Sequence, residues 1–395
     1  MCAVSSSSTG SHDASVPQGS TRGTKGIRLV LLAFGVLALI AGLCGALWRV
    51  GWTLPHGSSL ATVHGPLMIS GMFGTLISLE RAVALGRQWA YAAPALAGVG
   101  SLALVAGAPV EYGAGAYVAA AAALAGASLL ATIRQPALST GALLFGALAW
   151  LAGNVLWLAG LAASDAAGWW MTFLVVTVVG ERMELSQSMP QRRGGEALFL
   201  FAVGLLIVGA RNGLPTGNGA ILFGIALLVT AIWLLRHDTA RKDVRGTGQD
   251  RYTAACMLAG HAWMAVAGLV LVASPPEGTF GYDIALHAVL IGFVLSMVFG
   301  HALTILPTLA QIRVHYTLLL YGPLLLLHAS VALRVGSGIA GWDAGRKGSG
   351  IVTLASLMTF FVSLVLSRRQ DRVASVSNGI PGAGTAIDPI ACEPR

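Results

Sequence analysis

The 395-residue chain is 55% hydrophobic and only 10% charged, with a formal net charge of +8. A soluble domain carries about 25% charged residues, so a water-soluble core is excluded. In a soluble protein the basic balance would suggest nucleic acid; here positive-inside bias and anionic lipid account for it, and no nucleic-acid partner is expected.

In chain order, residues 1–26 are rich in Ser, Thr and Gly and read as a flexible cytoplasmic tail. The apolar run after it is too long for a signal-peptide core and lacks a small-residue cleavage site, so it is a retained first span. Twelve such runs occur, over 27–50, 60–80, 91–110, 112–132, 139–161, 169–189, 196–212, 218–235, 253–273, 284–306, 316–335 and 350–367. Each can cross a hydrocarbon core of roughly 30 Å, and their length and lack of alternation exclude a β-barrel. The expected fold is all-α and polytopic: a twelve-helix membrane domain over 27–367, followed by a second cytoplasmic tail over 368–395.

With the N-terminus inside, eighteen Lys and Arg fall on the inner side and five on the outer side (Arg49, Arg211, Arg334, Arg346 and Lys347), with Arg182 inside a span. That bias places both termini in the cytoplasm of an inner-membrane protein. Trp48, Trp52, Trp169, Trp170 and Trp342 mark the outer boundary, and Trp89, Tyr91, Trp233 and Tyr316 the inner one, as aromatic belts. Cys2, Cys44, Cys256 and Cys392 form no C-x-x-C; Cys44 and Cys256 read as small buried hydrophobes.

Span two ends in Leu79-Glu80-Arg81-Ala82, span six contains Gly180-Glu181-Arg182-Met183, and span ten ends in Gly300-His301-Ala302. This four-span spacing predicts three pseudo-repeated four-helix arcs. Ordinary ion pairing at inner span ends would give the same Glu-Arg pairs.

Five histidines lie inside the spans: His64, His261, His287, His301 and His328. An ionisable group in a bilayer is costly and faces the bundle interior, where imidazole either bonds a neighbouring helix or ligates metal. His64, His287 and His328 form an outer set. His64 and His287 stand at similar depth on helices running the same way, which suits axial ligation of a haem held between them. Arg334, Arg211 and Arg49 could pair with its propionates. Gly65 leaves room for a flat macrocycle, and Met68 and Met72 could line its pocket or supply sulfur. Pro323 should kink span eleven and aim His328 toward copper or a ligand. His261 and His301 form an inner set beside Glu181 and Glu184. That group could hold a non-haem metal or pass protons, or Glu80, Arg81, Glu181, Arg182 and Glu184 could simply close the bundle as an ion-pair network. His287 and His301, fourteen residues apart, share a face about 21 Å apart along the axis and cannot share one metal.

His287-Ala288-Val289-Leu290-Ile291-Gly292-Phe293 and Ser296-Met297-Val298-Phe299-Gly300-His301 resemble the H-A-L-x-x-G-x-x-x-x-M segment of the NnrS family. The stretches His64 to Met68, Leu79 to Ala82 and Gly180 to Ser186 are similar to segments of relatives in that group. The resemblance implies a twelve-span membrane protein containing haem and copper, linked to nitric oxide stress and distantly related to the haem–copper oxidase catalytic subunit. The paired and closely spaced histidines of the oxidase dinuclear centre are missing, so the resemblance carries no dinuclear centre over. The expected function is therefore binding of a b-type haem, with copper as a second candidate, in nitric oxide response or electron transfer. His64, His287 and Arg334 are its haem residues, and His64, His287, His328, His301 and His261 its metal candidates. Lipid and a redox protein are the expected partners. The rival is a proton-coupled or small-solute transporter working through Glu181, Arg182 and His261.

Overall fold

A computed structural model describes residues 19–185, 194–273, 279–312 and 314–377. Twelve helices are long and apolar enough to cross a membrane: α1 (Lys25–Arg49), α2 (His64–Leu85), α3 (Gln88–Val105), α4 (Val110–Arg134), α5 (Leu138–Leu158), α6 (Ala163–Glu184), α7 (Gly195–Asn212), α8 (Gly217–His237), α9 (Gly248–Ala273), α10 (Tyr282–Ala310), α11 (Leu318–Ile339) and α12 (Asp343–Arg368). Each matches one expected span. No strand occurs among the described residues, and the chain is a multi-pass membrane protein. The first helix begins at Gly19 and the last runs to Ser377, so parts of both expected tails are helical. Residues 1–18 and 378–395 lie outside the described residues.

Apolar helices joined by short loops pack antiparallel to their neighbours in sequence, and here every consecutive pair is in contact. α1 closes the ring against α10 and α12. At one end of the bundle Trp52 Nε1 donates to the Lys347 carbonyl at 3.2 Å, and the Lys347 ammonium lies 4.6 Å from the Trp52 ring. At the other end Arg28 donates to the Tyr91 hydroxyl at 3.0 Å and to the Thr308 carbonyl at 3.2 Å. Leu325, Ile133, Ile339 and Val362 are among the exposed apolar side chains that face outward, as a lipid-facing surface requires.

Helices α2, α6 and α10, spaced four apart, touch one another in the interior. They are also the most enclosed, at 61%, 78% and 61% buried. The four-span spacing of the sequence therefore coincides with a central trio around which the others are arranged.

One polar network in the apolar interior joins four helices. Trp150 Nε1 donates to Ser70 Oγ at 2.9 Å, and Ser70 donates to Asn154 Oδ1 at 2.8 Å. Trp170 Nε1 donates to the same Asn154 oxygen at 3.0 Å, and Asn154 Nδ2 donates to the Tyr117 carbonyl at 3.2 Å. This network ties α2, α4, α5 and α6 together. Trp170 is thus a core residue rather than a member of an aromatic belt. So is Trp233, which is buried and donates to the Gly195 carbonyl at 2.7 Å. Trp48, Trp52, Trp89 and Trp342 are exposed, as belt residues should be.

Two of the central helices depart from α geometry at corresponding places. In α2 a π-helical stretch, Leu67–Phe73, follows His64-Gly65-Pro66; in α10 another, Ala288–Leu295, follows His287. Such stretches are rare and concentrate at functional sites, because the wider turn re-aims side chains.

Candidate functional site

His64 is the first residue of its helix, preceded by Val63 at φ −109° and ψ 10°, where the short helix Gly57–Thr62 ends. The approach of α1 makes this junction possible. A Cβ on Gly45 would meet the Leu60 carbonyl, and one on Gly42 would lie 2.7 Å from the Met68 sulfur. The Gly42 carbonyl is then 2.8 Å from His64 Nδ1. A carbonyl only accepts, so Nδ1 carries the hydrogen and Nε2 the lone pair.

His287 sits nine residues into its helix, which starts at Thr279. Its Nδ1 donates to the Asp283 carbonyl at 2.8 Å and lies 3.3 Å from the Asp283 carboxylate. Nε2 is again the free lone pair. Backbone or carboxylate engagement of one ring nitrogen is how proteins fix a ligand histidine for metal at the other.

The two histidines line the same two cavities. One, of about 520 Å³, is walled by α2, α6 and α10 and includes Gly65, Met68, Trp170 and Tyr282. The other, about 80 Å³, lies toward α1, α11 and α12 and includes Phe73, Leu295 and Thr353. Arg49, His64, Met68, Asp283, His287, Leu290 and Arg346 wall both. The larger cavity falls in the roughly 300–1,000 Å³ range of small-molecule and cofactor sites. Two imidazoles, apolar side chains and arginines in one lining are the kinds of groups a haem with propionates would need, so the residues present fit that group.

Several expectations change in this setting. Arg334 lines the smaller cavity, but its guanidinium makes two hydrogen bonds to Asp283, of 3.1 and 2.8 Å. Arg49 and Arg346 line both histidine cavities, and Arg346 Nε also lies 3.8 Å from Asp283. Arg211 walls a different cavity, with Asp165 and Trp169. Met68 lines both histidine cavities, whereas Met72 is buried in the core. The π stretch between them explains the change, since wider turns break the four-residue register that would have kept both on one face.

Pro323 is the third residue of an α-helix that starts at Tyr321, after a 3₁₀ turn over Leu318–Leu320. In a first turn the missing N–H costs no bond, so the expected kink is replaced by a helix start. His328 lines neither histidine cavity. Trp263 Nε1 donates to its Nδ1 at 3.1 Å, which puts the hydrogen on Nε2, and that buried nitrogen has no partner.

The opposite end holds the inner set. Arg81 pairs with Glu181 at 3.0 Å and with Glu184 at 3.4 Å, the ion-pair network expected from sequence. Arg182 instead makes hydrogen bonds of 2.9 and 2.6 Å to Asp238, just past the end of α8. His261 is fully buried with Nε2 3.7 Å from Asp238 Oδ2. His301 donates from Nδ1 to the Met297 carbonyl at 2.9 Å, and its buried Nε2 has no partner. Among the described residues no three His, Cys, Asp or Glu side chains form a metal-holding group.

The sequence reading missed Asp238 and Asp283. Asp283 stands four residues before His287 on one helix face, a spacing that signals contact. Asp238 is a loop residue brought to Arg182 only by the packing of α6 against its neighbours, and no local signal marks it. A family model for a domain of unknown function, DUF8744, matches residues 28–369. No curated protein matches the chain.

Proposed function

The chain belongs to the DUF8744 family, and we propose that it is a haem-binding inner-membrane protein acting in nitric oxide response or electron transfer. The observation that carries this reading is the convergence of His64 and His287 on shared cavities, each with Nδ1 engaged and Nε2 left as the lone pair. His64 and His287 would hold the iron, and Arg49 and Arg346 the propionates. The haem would supply redox and gas-binding chemistry. The protein's residues would bind and orient it, and the apolar wall around Met68 and Leu290 would keep water from it. The charge bias of the sequence supports an orientation with both termini in the cytoplasm and the histidine pair near the outer face.

Protein purified from cells supplied with a haem precursor tests this. A Soret band that changes in His64→Ala or His287→Ala and vanishes when both are replaced is the expected result. A colourless preparation overturns the reading.

One observation favours a rival. A cavity of about 610 Å³ at the opposite end, walled by Arg81, Arg134 and Glu184, could admit a polar solute, as a proton-coupled or small-solute transporter would require. Flux into proteoliposomes that depends on Glu181 or His261, with no bound haem, would establish it instead.

A further inference from the structure

We infer that the two histidines are unequal ligands: His287 is the permanent one, and His64 is the one that yields its place to a small neutral diatomic gas. This rests on the haem reading above and says which face of that haem is open to exchange.

Three independent observations carry the inference. The first is backbone position. His287 has eight helical residues before it, whereas His64 opens its helix at a break, with Val63 between two short segments. A ligand at a helix start can move away by adjusting that junction; a ligand inside a helix moves only with the helix.

The second is the group behind each ring. His64 donates to one neutral carbonyl on another helix, that of Gly42. His287 donates to a carbonyl of its own turn and has the Asp283 carboxylate 3.3 Å from the same nitrogen. Negative charge behind Nδ1 raises the basicity of Nε2 and strengthens its bond to a metal. Arg334 moderates that charge, but it also pins the carboxylate through two hydrogen bonds from α11, which keeps it beside the ring.

The third is space. A Cβ on Gly65, beside His64, would meet nothing within 4 Å, whereas Ala288, beside His287, is fully buried. The backbone beside His64 therefore has freedom to adjust that the backbone beside His287 lacks. The exchange breaks the bond from His64 Nε2 to iron and forms one to the gas, with no change of oxidation state. His64 keeps its Nδ1 hydrogen.

Asp283 is accordingly a positioning residue, acting on the iron only through His287. The test uses the full-length purified protein, with carbon monoxide as the probe gas. His64→Ala should retain at least half the haem of the parent, shift to a five-coordinate spectrum and bind carbon monoxide at least tenfold faster. His287→Ala should lose at least nine-tenths of its haem, with imidazole in the growth medium restoring it if the chain has folded. Asp283→Asn combined with Arg334→Gln removes the carboxylate together with the guanidinium that makes two hydrogen bonds to it. It should lower the iron–histidine stretching frequency of the carbon monoxide photoproduct. Equal haem loss from the two histidine variants, the reverse order, or an unmoved stretching band in the double variant would overturn the inference while leaving the haem reading intact. A colourless parent protein would remove both.

Discussion

Arg182 and Asp238, 56 positions apart in sequence, hold each other through two hydrogen bonds of 2.9 and 2.6 Å, buried at the end of the bundle opposite His64 and His287. Asp238 also accepts from the Ala240 N–H at 2.9 Å, so its carboxylate is fully engaged. A charge pair sealed in this way is costly to break from one side, because the remaining partner is left charged and dry. Asp238→Ala should destabilise the detergent-solubilised protein by about 3–5 kcal/mol. Arg182→Met/Asp238→Leu should recover most of that loss. Thermal unfolding of the three variants checks it, and a double variant as weak as the single would contradict it.

The same pair sets a pH dependence. Burial opposes ionisation of Asp238, but the Arg182 guanidinium and the Ala240 N–H outweigh it and hold the carboxyl below its ordinary value of 3.8. A carboxylate depressed in the folded state contributes its full stability above the unfolded value and loses it as pH falls through the folded one. The contribution of this group should therefore be constant from about pH 8 to about pH 5 and decline below about pH 4. Asp238→Asn should be destabilised across the upper range and lose less on acidification than the parent, as followed by unfolding temperature against pH.

Asn154 is the hub of the polar network between α2 and α6. Asn154→Leu strands the Trp170 N–H and the Ser70 hydroxyl in an apolar interior, at a cost of about 1–3 kcal/mol. A blue-shift of tryptophan emission together with a lower unfolding temperature is the expected signature. Unchanged emission would mean the indole finds another acceptor.

Gly45→Ala should damage the candidate site without touching a histidine. Its new methyl would push on the Leu60 carbonyl, which is backbone and has little freedom to give way. The helix Gly57–Thr62 would shift, carrying His64 with it, at a cost of about 1–3 kcal/mol. Gly115→Ala, on α4 and lining neither histidine cavity, adds the same methyl into open space. Haem content should fall in the first variant and hold in the second; the opposite ranking would show that α1 does not position His64.

Sequence by itself determined the twelve helices and the intramembrane placement of five histidines. Hydrophobicity summed along twenty residues is a local property, and the bilayer reads it one helix at a time. It also pointed to α2, α6 and α10, because residues that face the bundle centre carry the charges and imidazoles that lipid excludes. Tertiary structure alone decided which histidines met. His64 and His287 came to line common cavities, while His328 went to Trp263 and His261 to Asp238. Arg334 was taken by Asp283, and the π turn after His64 set the directions of Met68 and Met72. A side chain's partner depends on the lateral packing and exact turn of helices far apart in the chain, and no periodicity within one helix encodes those.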